Sequence, residues 1–145
     1  MRVIRCGQGD YKTAIREAVK VLRLGGVIVY PTETTYGLGC DPRQAKALRR
    51  IKKIKGRVER KLFILVAASL RQVRFVARLP TSSFRLQAFY WPGPLTLVLP
   101  SATEKGDVAV RISSHPFALA LTKAYGYPIV STSANLTGQS EARSG

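Results

Sequence analysis

The sequence contains few of the residues that ligate metals or act as acids and bases. Among its 145 residues are eight acidic residues, one histidine and two cysteines. The cysteines, Cys6 and Cys40, show no CxxC or metal-ligand spacing, so we expect no metal site and no disulfide framework. A reducing, cytoplasmic setting fits this composition best.

Long hydrophobic stretches are also missing. The longest candidates, residues 27–30 and 62–68, have the length of strands and are too short to cross a membrane. Charged residues interrupt the apolar positions of residues 1–30, which therefore lack the unbroken apolar segment of a signal peptide. We expect a protein without a membrane partner.

Several common catalytic motifs are absent. The sequence has neither a G-x-x-x-x-G-K-[ST] loop for phosphates nor a G-x-S-x-G nucleophile turn. The one histidine, His115, precedes Pro116 at a predicted helix start, where a cap is a better interpretation than a base. Glu33 and Asp41 are the only carboxylates near the first polar segment, so the sequence gives little support to hydrolytic acid–base chemistry.

The chain is strongly basic. Twenty-four Lys and Arg residues against eight acidic residues give a net charge of +16. Such an excess repels itself in a compact body, which favours a partner that carries phosphates, either a nucleotide or a nucleic acid. The alternative is a basic protein kept soluble by its charge. Because 46% of the residues are hydrophobic, the chain can bury a core, and its length predicts one domain.

Helical and strand patterns alternate along the chain. Helices are predicted around residues 15–22, from Asp41-Pro42, after Ser69, over residues 82–90 and over Pro116–Tyr125. Strands are predicted at residues 27–30, 62–68, 95–99, 108–112 and 129–130, with a loop at 31–40. The second helix is predicted to turn Ala47, Leu48, Ile51 and Ile54 inward. The alternation predicts an α/β layered fold, and the hairpin-like spacing of the third and fourth strands predicts a mixed sheet flanked by helices.

Three polar segments could bind a ligand. Residues 31–39 contain three threonines, a tyrosine and two glycines, which suit close approach of a small polar substrate or simply a capped turn. Residues 55–61 are predicted to form a loop whose cations, Lys55, Arg57 and Lys61, could converge on a polyanion or simply lie in solvent at a helix end. Residues 131–138 offer hydroxyl and amide groups to phosphate, or form an Asn/Gly turn.

Taken together, five motifs occur in a recognisable order. They are the segment 25–41 (GGVIVYPTETTYGLGCD), Lys55-Gly56-Arg57 with Lys61, the segment 91–96 (WPGPLT), the segment 108–111 (VAVR) with His115-Pro116, and the segment 131–135 (STSAN). This series resembles the TsaC/YrdC family of threonylcarbamoyl-AMP synthases over nearly the whole chain. The resemblance implies a single YrdC-like domain over residues 1–145, short at its C-terminal end, with a twisted mixed sheet.

Membership in that family implies a defined reaction. L-threonine, bicarbonate and ATP, with magnesium, give threonylcarbamoyl-AMP and pyrophosphate. A separate transferase then passes the threonylcarbamoyl group to adenosine in certain tRNAs. The attacking group is a carbamate, already an anion, so the step needs positive charge and placement rather than a strong base.

The resemblance also implies roles for individual residues. The threonine side of the site is expected to contain Thr34, Tyr36, Arg111 and Ser131, with Arg111 on the carboxylate. The ATP side is expected to contain Arg57, Lys61, Ser133 and Asn135. The catalytic positive charge is expected from Lys55, Arg57 and Lys61.

Two other functions remain open at this stage. The net charge of +16 also suits an RNA-binding module of the same fold with little or no synthase activity, whose binding would weaken steeply with salt. A carbamoyl-adenylate domain that serves another acceptor is a further alternative.

Overall fold

Six strands form one sheet with helices on both of its faces. The computed structural model of the chain describes residues 3–6, 10–56 and 62–134. The strands are β1 (Ile28–Pro31), β2 (Tyr36–Cys40), β3 (Ile64–Ala67), β4 (Leu97–Pro100), β5 (Asp107–Ile112) and β6 (Ile129–Ser133). The helices are α1 (Lys12–Arg23), α2 (Ala45–Lys55), α3 (Leu70–Val73), α4 (Phe84–Tyr90) and α5 (Pro116–Tyr125), with a 3₁₀ turn at Thr81–Ser83.

The sheet is mixed. Its strand order is β1-β2-β6-β3-β5-β4. The pair β3–β5 is parallel, while β1–β2, β2–β6, β6–β3 and β5–β4 are antiparallel. The predicted α/β fold with a mixed sheet and flanking helices is therefore confirmed.

The side-chain alternation of the strands divides the core in two. On β6, Ile129 packs into a cluster with α1 and α5, whereas Val130 packs into a larger cluster with residues of α2 and α3. Successive strand residues point to opposite faces of a sheet. The sheet thus has an α1/α5 face and an α2/α3 face, and none of the helices in the described residues is long and apolar enough to span a membrane.

The prediction of a loop at residues 31–40 was wrong. Residues Thr32 to Thr35 form a tight connection, and β2 then pairs with β1 on one side and with β6 on the other. The predicted short strand at 129–130 also continues to Ser133, because β2 supplies ladder partners as far as Gly37.

The second helix begins later than Asp41-Pro42. Its first residue is Ala45, and a turn precedes it in which the Gln44 nitrogen donates to the Asp41 main-chain oxygen at 3.2 Å. The Asp41 carboxylate is buried. It accepts hydrogen bonds from the Arg43 main chain (2.9 Å), from Arg43 Nε (3.0 Å) and Nη2 (2.9 Å), and from the Tyr125 hydroxyl (2.5 Å). Asp41 therefore ties the β2–α2 connection to the end of α5.

Candidate functional site

A cleft of about 240 Å³ opens beside the connection between β1 and β2. Its polar lining is Thr32, Thr34, Thr35, Arg111, Ser131, Thr132 and Ser133, and the rest is Gly37, Leu62, Phe63 and Ile64. By strand alternation, Gly37, Arg111 and Ser131 lie on the α1/α5 face, opposite the side chains that fill the larger core. Residues of four strands, β2, β3, β5 and β6, therefore contribute to one hydroxyl-rich cavity that contains an arginine.

Thr32 organises the rim of this cleft. Its Oγ1 atom donates to the Thr35 oxygen at 2.6 Å and accepts from the main-chain nitrogens of Thr34 and Thr35, both at 3.3 Å. A threonine that bonds the backbone two and three residues on is a typical way to fix a tight turn. The exposed Thr34 side chain is thereby held at the cleft with its hydroxyl 3.2 Å from Thr32 Oγ1.

Arg111 is the cation of the cleft among the lining residues that the structure describes. Its side chain is 9% exposed and forms an ion pair with Glu33, whose side chain is 12% exposed; Arg111 Nη1 and Glu33 Oε1 are 3.5 Å apart. Neither Arg111 Nε nor Glu33 Oε1 has a hydrogen-bond partner among the described residues. The Ser113 hydroxyl donates to Glu33 Oε2, the carboxylate oxygen that does not form the ion pair with Arg111. A buried donor without a protein partner suits a ligand that accepts hydrogen bonds.

Tyr30 is buried next to the cleft residues Gly37 and Ser131 and remains neutral. Burial raises the pKa of its phenol to about 12, while the neighbouring Ser131 hydroxyl and the Arg111 charge act in the opposite direction. The phenol therefore stays protonated at physiological pH and is not a proton acceptor for the cleft.

Lys55 contacts the cleft from the other face of the sheet. It is the last residue of α2 and 2% exposed, and its Nζ atom donates to the Ser133 oxygen (2.8 Å) and to Ser133 Oγ (3.2 Å). The interpretation of Lys55 as a loop cation was wrong, and so was the inward orientation of Ile54, which is 41% exposed. The two residues are adjacent on α2, and Lys55 is the one that points inward, where its ammonium group donates hydrogen bonds to Ser133.

Comparison with known proteins decides the family. The Sua5/YciO/YrdC family model, described as telomere recombination, matches residues 20–144. The chain belongs to this family.

A named enzyme and two solved structures match most of the chain. A threonylcarbamoyl-AMP synthase of Halorhodospira halophila is 45% identical over 148 residues, which cover 96% of this chain and 78% of that protein. A variant of P. abyssi Sua5 matches with a TM-score of 0.90 and 34% identity over 98% of this chain and 44% of its own. P. abyssi Sua5 complexed with L-threonine matches with a TM-score of 0.84 and 36% identity over 90% of this chain and 41% of its own. The chain thus spans less than half of either Sua5 chain.

Within this Sua5/YciO/YrdC chain, the structure brings together five of the nine predicted site residues. Thr34, Arg111, Ser131 and Ser133 line the cleft, and Lys55 bonds to Ser133. Tyr36 is not among the cleft residues; it begins β2 on the face opposite Gly37, and its main-chain oxygen accepts from Ala134. The other three predicted residues, Arg57, Lys61 and Asn135, lie outside the described residues.

Several cleft residues belong to the predicted segments or to a predicted strand but have no individual role in the sequence-based prediction. Four of them are neighbours of predicted site residues within the same family motifs: Thr32, Thr35, Gly37 and Thr132. Their position in these motifs is the sequence feature that could have identified them. The apolar wall of Leu62, Phe63 and Ile64 reads in the sequence only as part of a buried strand. Glu33 is one of the two carboxylates near the first polar segment. Its ion pair with Arg111 joins positions 78 residues apart, so no pattern of neighbouring residues in the sequence predicts it.

Proposed function

We propose that this chain catalyses synthesis of threonylcarbamoyl-AMP from L-threonine, bicarbonate and ATP, with release of pyrophosphate and water. The observation that carries the proposal is one cleft that gathers Thr34, Arg111, Ser131 and Ser133, with Lys55 bound to Ser133. The 45% identity with a protein named threonylcarbamoyl-AMP synthase supports the same activity.

The size and lining of the cleft favour threonine as its occupant. A volume of about 240 Å³ lies below the range usual for drug-sized ligands and suits an amino acid better than a nucleotide. In this proposal, Arg111 binds the threonine carboxylate, and the hydroxyls of Thr34 and Ser131 bind its polar groups. The apolar wall around Phe63 takes the threonine methyl group.

The nucleotide then lies at the Ser133 end of the cleft. Lys55 is fixed there by its bonds to Ser133, and the predicted ATP residues Arg57, Lys61 and Asn135 follow Lys55 or Ser133 closely in sequence. Cationic groups at this end would offset the charge of the triphosphate.

The chemistry has two steps in this proposal. Bicarbonate takes up a proton and loses water to give carbon dioxide, and the threonine amine adds to it, loses a proton and becomes a carbamate. A carbamate oxygen then bonds to the α-phosphorus of ATP as the bond to the bridging oxygen of pyrophosphate breaks. The attacking group is already an anion, so the chain's task is to place two anions next to each other and to offset their repulsion.

Magnesium fits this proposal as a companion of the nucleotide. No group of three or more His, Cys, Asp or Glu residues in the described part of the chain could hold a metal ion. Magnesium is commonly held by substrate phosphates with few protein ligands, and it would supply charge neutralisation at the triphosphate. Among the described residues of the cleft lining, Thr132 and Ser133 would offer hydroxyl oxygens at that end.

The same proposal assigns the product to tRNA modification. A separate transferase would pass the threonylcarbamoyl group to tRNA, and the net charge of +16 suits encounters with RNA or nucleotide phosphates. No feature of the described cleft favours an RNA-binding module without synthase activity over the synthase.

Threonine-dependent release of pyrophosphate tests the proposal. The chain is incubated with ATP, bicarbonate and magnesium, with and without L-threonine, and the adenylate is detected by mass spectrometry. We expect pyrophosphate and threonylcarbamoyl-AMP only when threonine and bicarbonate are both present. Release of pyrophosphate without threonine, or no release at all, would contradict the assignment.

A further inference from the structure

The ion pair between Glu33 and Arg111 differs in geometry from the ion pair between Asp41 and Arg43, whose arginine side chain is 55% exposed. Arg43 meets Asp41 with a bidentate contact, in which Nε and Nη2 each donate to one carboxylate oxygen at 3.0 and 2.9 Å. Arg111 instead approaches Glu33 with Nη1 only, at 3.5 Å, and its Nε has no hydrogen-bond partner among the described residues. The guanidinium edge that binds a carboxylate at Arg43 is therefore not used by Glu33 at Arg111.

A hydrogen bond from Ser113 fixes the position of the Glu33 carboxylate. The Ser113 hydroxyl accepts from the His115 main-chain nitrogen at 3.1 Å, which leaves the hydroxyl proton to be donated to Glu33 Oε2. Ser113 is fully buried at the end of β5, two residues from Arg111. Glu33 does not line the cleft, whereas Arg111 does.

We propose that Glu33 is a positioning residue that holds Arg111 by Nη1 and so presents the Nε and Nη2 edge to the carboxylate of the amino-acid substrate. This inference rests on the proposed function, because it concerns how the same site selects its substrate. A planar guanidinium binds a carboxylate bidentately along one edge, and the contact with Glu33, which Ser113 supports, favours the orientation that leaves the Nε and Nη2 edge available. Specificity for a free α-carboxylate thus depends on a residue that does not touch the substrate.

Two substitutions separate positioning from simple charge neutralisation. Glu33→Gln removes the charge, and Glu33→Asp keeps the charge but withdraws it by one methylene. Positioning predicts that both variants raise the threonine KM roughly tenfold while the ATP KM stays unchanged, because each loses the fixed guanidinium plane. If Glu33 only neutralises the charge of Arg111, the Gln variant should have a lower threonine KM than the wild type, and the Asp variant should have the wild-type KM. That result would overturn the proposal.

The decisive readout is discrimination between L-threonine and L-threonine amide, which lacks the carboxylate. Their affinities are measured by calorimetry for the wild type, both Glu33 variants and Ser113→Ala. We expect the preference for threonine to fall by roughly tenfold in the Glu33 variants and by less in Ser113→Ala. An unchanged preference in folded Glu33 variants would refute the inference.

A matched control is built into the chain. Asp41→Asn breaks the ion pair with Arg43, in which the carboxylate is buried and the arginine is exposed. This pair lies outside the cleft, so the substitution should lower stability without changing the preference for threonine over its amide. Melting temperatures of all variants show which of them fold. If the wild type binds no threonine, the proposed function fails; if it binds threonine and only the Glu33 effect is absent, this inference alone fails.

Discussion

Gly37 on β2 approaches Ser131 on β6 so closely that a Cβ atom at position 37 would lie 2.9 Å from Ser131 Oγ. Real Cβ atoms essentially never come this close to another atom, so a side chain at Gly37 would displace the Ser131 hydroxyl. That hydroxyl can rotate about a single bond, and its new direction would no longer be the one that faces the cleft. The glycine is thus required by the site more than by the strand.

Gly37→Ala should reduce synthesis strongly and stability modestly. We expect the threonine KM to rise by roughly tenfold, because one hydrogen bond to the substrate is lost or misdirected, and we expect a stability change of about 1 kcal/mol. Steady-state kinetics and urea denaturation give the two quantities. Gly106→Ala is the control: Gly106 has a φ of 105° and nothing within 4 Å of its added Cβ, so this change strains the backbone away from the cleft. Equal losses of activity in both variants would count against a local effect.

The buried Lys55 side chain should contribute both to the stability of the fold and to synthesis. Because it is buried and bonded to Ser133, we expect Lys55→Ala to lower the free energy of unfolding by about 2–4 kcal/mol as well as to abolish most synthesis. Lys55→Met keeps most of the aliphatic stem and loses the charge. It should recover part of the stability but none of the activity.

The Lys55 variants are compared by thermal unfolding and by pyrophosphate release per folded molecule. A Met variant with nearly normal turnover would show that the charge acts only in folding. Lys53→Met provides the control, since Lys53 is an exposed cation two residues away on the same helix. Its loss should change neither quantity appreciably.

Elements with local signals are predicted well by the sequence. Helix α5 begins at Pro116 behind the His115 cap, whose Nδ1 accepts from the Phe117 nitrogen, and it ends at Gly126 with a φ of 84°. Proline at the first helical position and glycine just after the last one are typical of helix ends, so the sequence predicts both ends of α5. The hairpin of β4 and β5 is predicted for the same reason, because its two apolar runs are neighbours in the sequence.

Elements and contacts that depend on distant residues are not predicted. Strand β2 contains Gly37 and Gly39, which lower strand propensity, and it is stabilised by pairing with β6 almost a hundred residues later. Similarly, apolar periodicity predicts that Ile54 points inward, whereas Lys55 is buried and bonds to Ser133, which is distant in sequence. The family motifs locate the cleft, but the pairing of Glu33 with Arg111 requires the folded sheet.

Acid should weaken the tie between Asp41, Arg43 and Tyr125. Burial alone would raise the pKa of Asp41, but the hydrogen bonds from Arg43 and Tyr125 outweigh it and hold the pKa below the ordinary value. A depressed carboxyl pKa contributes stability that is complete above the unfolded-state value of about 4 and is lost as the pH falls through the lower folded-state value. The difference in melting temperature between the wild type and Asp41→Asn should therefore be largest at neutral pH and should shrink below about pH 4. A constant difference from pH 7 to pH 2 would contradict this linkage.

The two cysteines should differ sharply in reactivity. Cys40 is fully buried in β2, and burial, with a smaller effect of the Asp41 charge, raises the pKa of its thiol to about 12. The thiolate is the reactive form, so Cys40 combines low access with a negligible thiolate fraction, whereas Cys6 is exposed. Native protein at pH 8 should therefore react with one equivalent of an alkylating reagent, and denatured protein with two. In a Cys6→Ser variant the native value should fall to zero, and rapid modification of that variant would show that β2 opens readily enough to expose its inner face.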